Sequence, residues 1–123
     1  MRNLKDIAKK ATTLAEIMNG RDKIDTEEII ENYEDGITIN NIELCPMVVD
    51  GEQVNVWIYT FEEDKKHFAF AGYVLAKIFN QIVEECDGDL EKAYSEVKKQ
   101  TLSVKLSTGK TKSKQPITLV EVL

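Results

Sequence analysis

The chain is poor in the residues that build metal, redox and nucleophilic sites. It holds two cysteines, Cys45 and Cys86, and a single histidine, His67, in 123 residues. Three such side chains cannot complete a four-ligand zinc site, and their spacing matches no metal motif. Both thiols read as reduced packing residues, Cys45 beside a strand and Cys86 at a helix end. His67 sits next to Phe68 in a strand-like stretch with no nucleophile motif near it, which argues against a Ser-His-Asp arrangement. No apolar run approaches the roughly 18 residues that a membrane span requires. The opening segment is amphipathic and carries acids, without the apolar stretch and cleavage site of a signal peptide. These absences point to a cytoplasmic protein with no membrane partner, no cofactor and no metal.

Two further chemistries fail on spacing. "GKT" at Gly109, Lys110 and Thr111 looks like the end of a phosphate-binding P-loop. That loop needs a glycine five residues before Gly109 and a helix after it. Val104 stands at the first position, and Pro116 followed by Ile117 to Val122 reads as a strand. Acids gather at Glu84, Glu85, Asp87 and Asp89, but a calcium loop started at Asp87 puts Lys92 where its obligatory glycine belongs. Helix capping accounts for Asp87 and Asp89 instead. With no paired acids placed for a cleft, the chain is expected not to be an enzyme.

What is present is a strong charge asymmetry. The net charge is −6. Residues 97–123 carry six basic side chains and one acid, Glu121, a local balance of +5 against −11 for the rest. Residues 36–96 alone hold twelve acids. Such a division suggests contact with a polyanion, or self-association through opposite charges.

Hydrophobic periodicity orders the elements. Leu4, Ile7, Ala8, Ala11, Leu14, Ala15, Ile17 and Met18 predict an amphipathic helix over about residues 3–18, closed by Asn19-Gly20. Asp25 with Glu28 predicts a second, short helix ending by Gly36. Ile37, Ile39, Ile42 and Leu44 begin a β region that Pro46 interrupts. Asp50-Gly51 predicts a hairpin into Val54–Phe61. "EEDKK" reads as a turn and His67–Ala71 as a short strand. Helices follow over about Tyr73–Cys86 and from an Asp89 cap onward. Leu102, Val104 and Leu106 alternate with polar residues, and a lysine-bearing hairpin leads to the closing strand.

The order predicts an α+β fold: a five-stranded antiparallel OB-like sheet or barrel, β-β-β-α-α-β-β, preceded by an N-terminal helical segment. The whole chain reads as one domain, with residues 1–35 packed on a β-rich core of 36–123. A general α+β meander backed by helices has the same order.

OB barrels bind single-stranded nucleic acid on their second and third strands and adjoining loops. Six of the nine aromatic residues lie between Trp57 and Tyr73. Trp57, Tyr59, Phe61, Phe68 and Phe70 are expected on one face of these strands. Of them Trp57, Tyr59, Phe68 and Phe70 form the expected base platform, with Lys105, Lys110, Lys112 and Lys114 contacting phosphate. The competing reading makes Trp57, Tyr59 and Phe61 core residues covered by the helix of residues 3–18.

Four stretches, "NLKDIAKKATTLAEIMNGRDKI", "AGYVLAKIF", "DGDLEKAYSEVKK" and "VKLSTGKTKSKQPITLVEVL", resemble small uncharacterised proteins of phages and prophages of Gram-positive bacteria. The resemblance implies a phage DNA-replication or host-takeover context in a bacterial cytoplasm, and it carries over no functional residue. Two functions then stand: single-stranded nucleic-acid binding, or a protein-interaction module. The latter would be an acidic phage inhibitor of a host defence nuclease, or an oligomeric accessory protein. The sequence leaves the oligomeric state open.

Overall fold

A computed structural model describes residues 17, 18, 20–110 and 116–123. The helix expected over residues 3–18 falls almost wholly outside them. Among the described residues the fold is α+β, a curled mixed sheet with three helices. In chain order the elements are β1 (Asp22–Lys23), α1 (Thr26–Asn32), β2 (Ile37–Val49), β3 (Glu52–Phe61) and β4 (Asp64–Phe70). Then come α2 (Tyr73–Glu85), α3 (Leu90–Gln100), β5 (Leu102–Lys110) and β6 (Pro116–Val122).

The sheet has six strands in the order β1-β4-β3-β2-β5-β6. This corrects the expected five-stranded antiparallel sheet. The additional strand is β1, which pairs in parallel with β4, Asp22 opposite His67 and Lys23 opposite Phe68. Its two residues are both charged and carry no apolar alternation, so periodicity passes over it. The other five strands are mutually antiparallel.

Pro46 does not interrupt β2, which runs through it in register with Asn55 of β3. β5 pairs with β2 only from Ile37 to Ile39, so the far half of β2 has a strand on one side only. Leu44, two residues earlier, sends its N–H away from β3 to the Tyr94 hydroxyl at 2.9 Å. Pro46 stands on that same side, where a missing N–H breaks no ladder bond.

β2 also contains a bulge between Ile39 and Asn41. It lets Ile37, Ile39, Ile42 and Leu44 all face the helices although their spacing is two, three, two. The Thr60 hydroxyl donates to the Asn40 side-chain carbonyl at 2.7 Å beside the bulge.

The main core lies between the sheet's inner face and the helices: Ile37, Ile39, Ile42, Trp57, Tyr59, Phe61 and Val104 from the strands meet Leu75, Phe79 and Val97. α2 exposes a broad apolar stripe to this layer, and α3 starts from Asp89, whose carboxylate accepts the Lys92 N–H at 3.2 Å. A smaller cluster lies on the opposite, outer face, where Cys45, Ile58 and Phe68 pack with Ile17.

Candidate nucleic-acid interface

Strand alternation sends Trp57, Tyr59 and Phe61 to one side. That side is the inner face. Trp57 is 4% exposed and Tyr59 fully buried. The Trp57 ring meets Phe79 edge-on with centroids 5.6 Å apart, and Tyr94 at 6.2 Å. Its indole N–H donates to the Asn80 side-chain carbonyl at 2.8 Å. Tyr59 packs edge-on against Phe79 at 6.1 Å. Burial raises the pKa of its hydroxyl well above the usual range, and that hydroxyl has no hydrogen-bond partner among the described residues. Neither ring offers an open face to a base. They are core, as the competing reading expects, and α2 and α3 pack on them through Phe79 and Tyr94; the helix of residues 3–18 expected as their cover lies almost wholly outside the described residues.

Phe68 and Phe70 lie on the other face, which corrects the single five-ring platform. The pairing decides this: Phe70 is opposite Ile58 and Ala69 opposite Tyr59. Opposed residues share a face, so Phe70 goes with Ile58, away from Trp57 and Tyr59. Phe68 is 7% exposed, packed against the outer cluster, and its ring meets that of Phe70 at 5.8 Å. Phe70 is half-buried.

β1 brings Lys23 to this pair. Its ammonium stands 5.4 Å from the Phe70 ring centroid, a cation–π contact, and 3.3 Å from the Asp25 carboxylate. Both members of that ion pair are exposed, so it is weak and exchangeable. Lys23 was not among the residues expected from the sequence. A two-residue charged strand gives no signal to find it by.

On β5, Val104 and Leu106 are buried while Lys105 between them is exposed on the outer face, across from Glu121 of β6. Lys110 ends β5 opposite Pro116. Lys112 and Lys114 lie outside the described residues. Phe70 and Lys105 are three strand spacings and about six positions apart, roughly 25 Å on ordinary sheet dimensions. The fold thus puts Phe70, Lys23 and Lys105 on one side of the sheet, and Trp57 and Tyr59 inside it.

A second polar cluster sits at the β3–β4 turn. The His67 Nδ1 lies 2.8 and 2.9 Å from the two Asp64 oxygens, and the Tyr33 hydroxyl donates to Asp64 at 3.4 Å. Partial burial alone would raise the Asp64 pKa. The His67 bond, the Lys66 N–H, the His67 charge and Tyr33 outweigh it and hold the carboxyl below its usual range. Thr38 is tied to the same turn by two bonds to the Glu63 carboxylate, 2.7 Å from its N–H and 3.0 Å from its hydroxyl. These contacts lock the turn to β2 and α1. Among the described residues no three His, Cys, Asp or Glu side chains gather to hold a metal ion, and no helix is long and apolar enough to cross a membrane.

Comparison with protein-family models, curated proteins and solved structures finds no match.

Proposed function

We propose that the protein is a non-enzymatic binder of single-stranded nucleic acid, acting in a phage DNA-replication or recombination setting. The observation that carries this reading is the Lys23–Phe70 pair on the sheet's outer face, with Lys105 on the same side. A phosphate can draw the Lys23 ammonium from Asp25 while a base takes the ring face of Phe70. Base–aromatic stacking contributes about 1–3 kcal/mol. Lys105 and the lysines at 110, 112 and 114 then hold the backbone by charge. The span of roughly 25 Å suits the several nucleotides that one OB unit covers. The antiparallel strands β2 to β6 with their intervening helices keep the element order of an OB barrel, a fold that is itself partly open. The resemblance to phage proteins supports the setting.

Titration of a labelled oligothymidylate by fluorescence anisotropy tests this. Binding at micromolar protein and low salt is expected, with log K falling against log salt at a slope near −0.7 per phosphate neutralised. Phe70→Ala should cost about 1–3 kcal/mol of affinity, and Lys23→Gln with Lys105→Gln should flatten the slope. A folded protein that binds nothing at low salt refutes the reading.

One observation favours an alternative. Val48, Val49 and Val54 are exposed together at the tip of the β2–β3 hairpin. An apolar tip on an acidic chain fits a protein-interaction module, such as an inhibitor of a host nuclease. Binding through that tip would resist salt.

A further inference from the structure

The two faces of the sheet are closed by different means. On the inner face the strands meet α2 and α3. On the outer face, Cys45 of β2 and Ile58 of β3 are both 0% exposed, with Phe68 of β4 buried beside them. Among the described residues, Ile17 and Met18 are the apolar members of that cluster that come from outside the sheet. Ile17 rests on the outer surface of the strands, so part of its side chain faces away from them. It is nevertheless only 1% exposed.

The turn that carries Ile17 is held in place. The Arg21 guanidinium donates to the Ile17 carbonyl at 3.0 Å, and the Arg21 N–H to that of Met18 at 3.3 Å. β1 then runs along the β4 edge. The Arg21 Nε atom is shut off from solvent, with no hydrogen-bond partner among the described residues. Burial on this face falls off towards the hairpin tip. Along β2 it passes from buried Cys45 to half-buried Met47 and exposed Val49, and along β3 from buried Ile58 to half-buried Val56 and exposed Val54. Alternate residues share a side, so these six form one apolar surface. The burial exists in a single chain, so its cover belongs to this chain, and it thins with distance from the Ile17 cluster.

We infer that residues 3–16 are that cover, an amphipathic helix laid on the outer face through Leu4, Ile7, Ala8, Ala11, Leu14 and Ala15. Such a stripe needs an apolar surface to lie on, and the inner face is already occupied by α2 and α3. Leu14 is three residues from Ile17, no more than about 11 Å along the chain, which brings it within reach of Met47, Val56 and Phe70. The fold then has three layers, with helices on both sides of the sheet. The inference holds whether or not the protein binds nucleic acid.

Thiol reactivity of the full chain tests it. In Cys86→Ser the buried Cys45 is the one thiol left, and its reaction with an aromatic disulfide reagent should be slow, gated by opening of the cover. Leu14→Asp should speed that reaction by about tenfold or more, with Trp57 emission showing the inner core intact. Thr13→Asp, on the polar side of the same helix, should leave the rate unchanged. Should Leu14→Asp fail to fold, Leu14→Ala takes its place with the same readout. Hydrogen exchange over residues 4–16 should be slowed at least about a hundredfold against an unstructured chain. Exchange there at the free-chain rate overturns the inference. So does a thiol equally protected in the folded Leu14 and Thr13 variants, or protection that appears only at concentrations where sedimentation shows a dimer, which makes a second copy the cover.

Discussion

Replacing Trp57 by alanine separates a core residue from a binding residue. Trp57 is 4% exposed, meets Phe79 and Tyr94 edge-on, and lies on the inner face under α2 and α3. Truncation there loses the transfer energy of the ring and leaves a cavity that the packed helices cannot fill, about 3–5 kcal/mol for Trp→Ala. The lost bond to Asn80 adds little, because Asn80 is exposed and its amide returns to water. With a urea dependence of about 2 kcal/mol per molar, the unfolding midpoint should fall by roughly 1.5–2.5 M, read by circular dichroism since the only tryptophan is gone. In the wild type, Trp57 emission should be blue-shifted and hardly touched by iodide. Had the ring served as an open stacking platform, truncation would move stability by no more than about 0.5 kcal/mol. A midpoint unchanged in Trp57→Ala, together with ready iodide quenching of the wild type, refutes the assignment of Trp57 to the core.

Gly36 sits at φ +112, and a Cβ there would stand 2.8 Å from the Val104 carbonyl oxygen, which is held in the β2–β5 pairing. Gly36→Ala should destabilise by about 2–4 kcal/mol from combined strain and clash, seen as a lowered thermal midpoint. Asp64 has a lowered pKa in the folded state, so it stabilises the fold above the ordinary carboxylate range, and that contribution disappears as pH falls through its depressed value. Thermal midpoints measured from pH 6 down to pH 2, in a window set by the ordinary aspartate pKa of about 3.9, should therefore fall less steeply in Asp64→Asn than in the wild type.

Much of the fold was legible because alternation and capping act locally. The Asp50-Gly51 hairpin, the Asp89 cap and the alternation of Leu102, Val104 and Leu106 all stand where they were read. Trp57, Tyr59 and Phe61 do share a face. The grouping of these with Phe68 and Phe70 failed because it depends on which residues of β3 and β4 lie opposite one another, and that register shifts between Tyr59 and Phe61. No periodicity within either strand records the offset. β1 was illegible for a related reason: Asp22 and Lys23 become a strand only because β4 is there to pair with. Pro46 misled because its cost depends on whether a neighbouring strand needs its N–H. The spacing of Ile37, Ile39, Ile42 and Leu44 did contain the signal of a bulge, a period of two that slips once.

That slip at Asn40-Asn41 divides β2 into two half-strands of opposite phase. Ile37 and Ile39 belong to one phase, Ile42 and Leu44 to the other, and Thr60 is bonded to Asn40 at the change. Losing either asparagine would restore a regular strand and turn Ile42 and Leu44 outward while bringing Glu43 and Cys45 in. The pair therefore governs which length changes the chain can accept. The β2–β3 ribbon can grow or shrink by matched pairs of residues at its Asp50-Gly51 tip without disturbing the core. One residue gained or lost between Ile39 and Ile42 rewrites every contact from there to the tip.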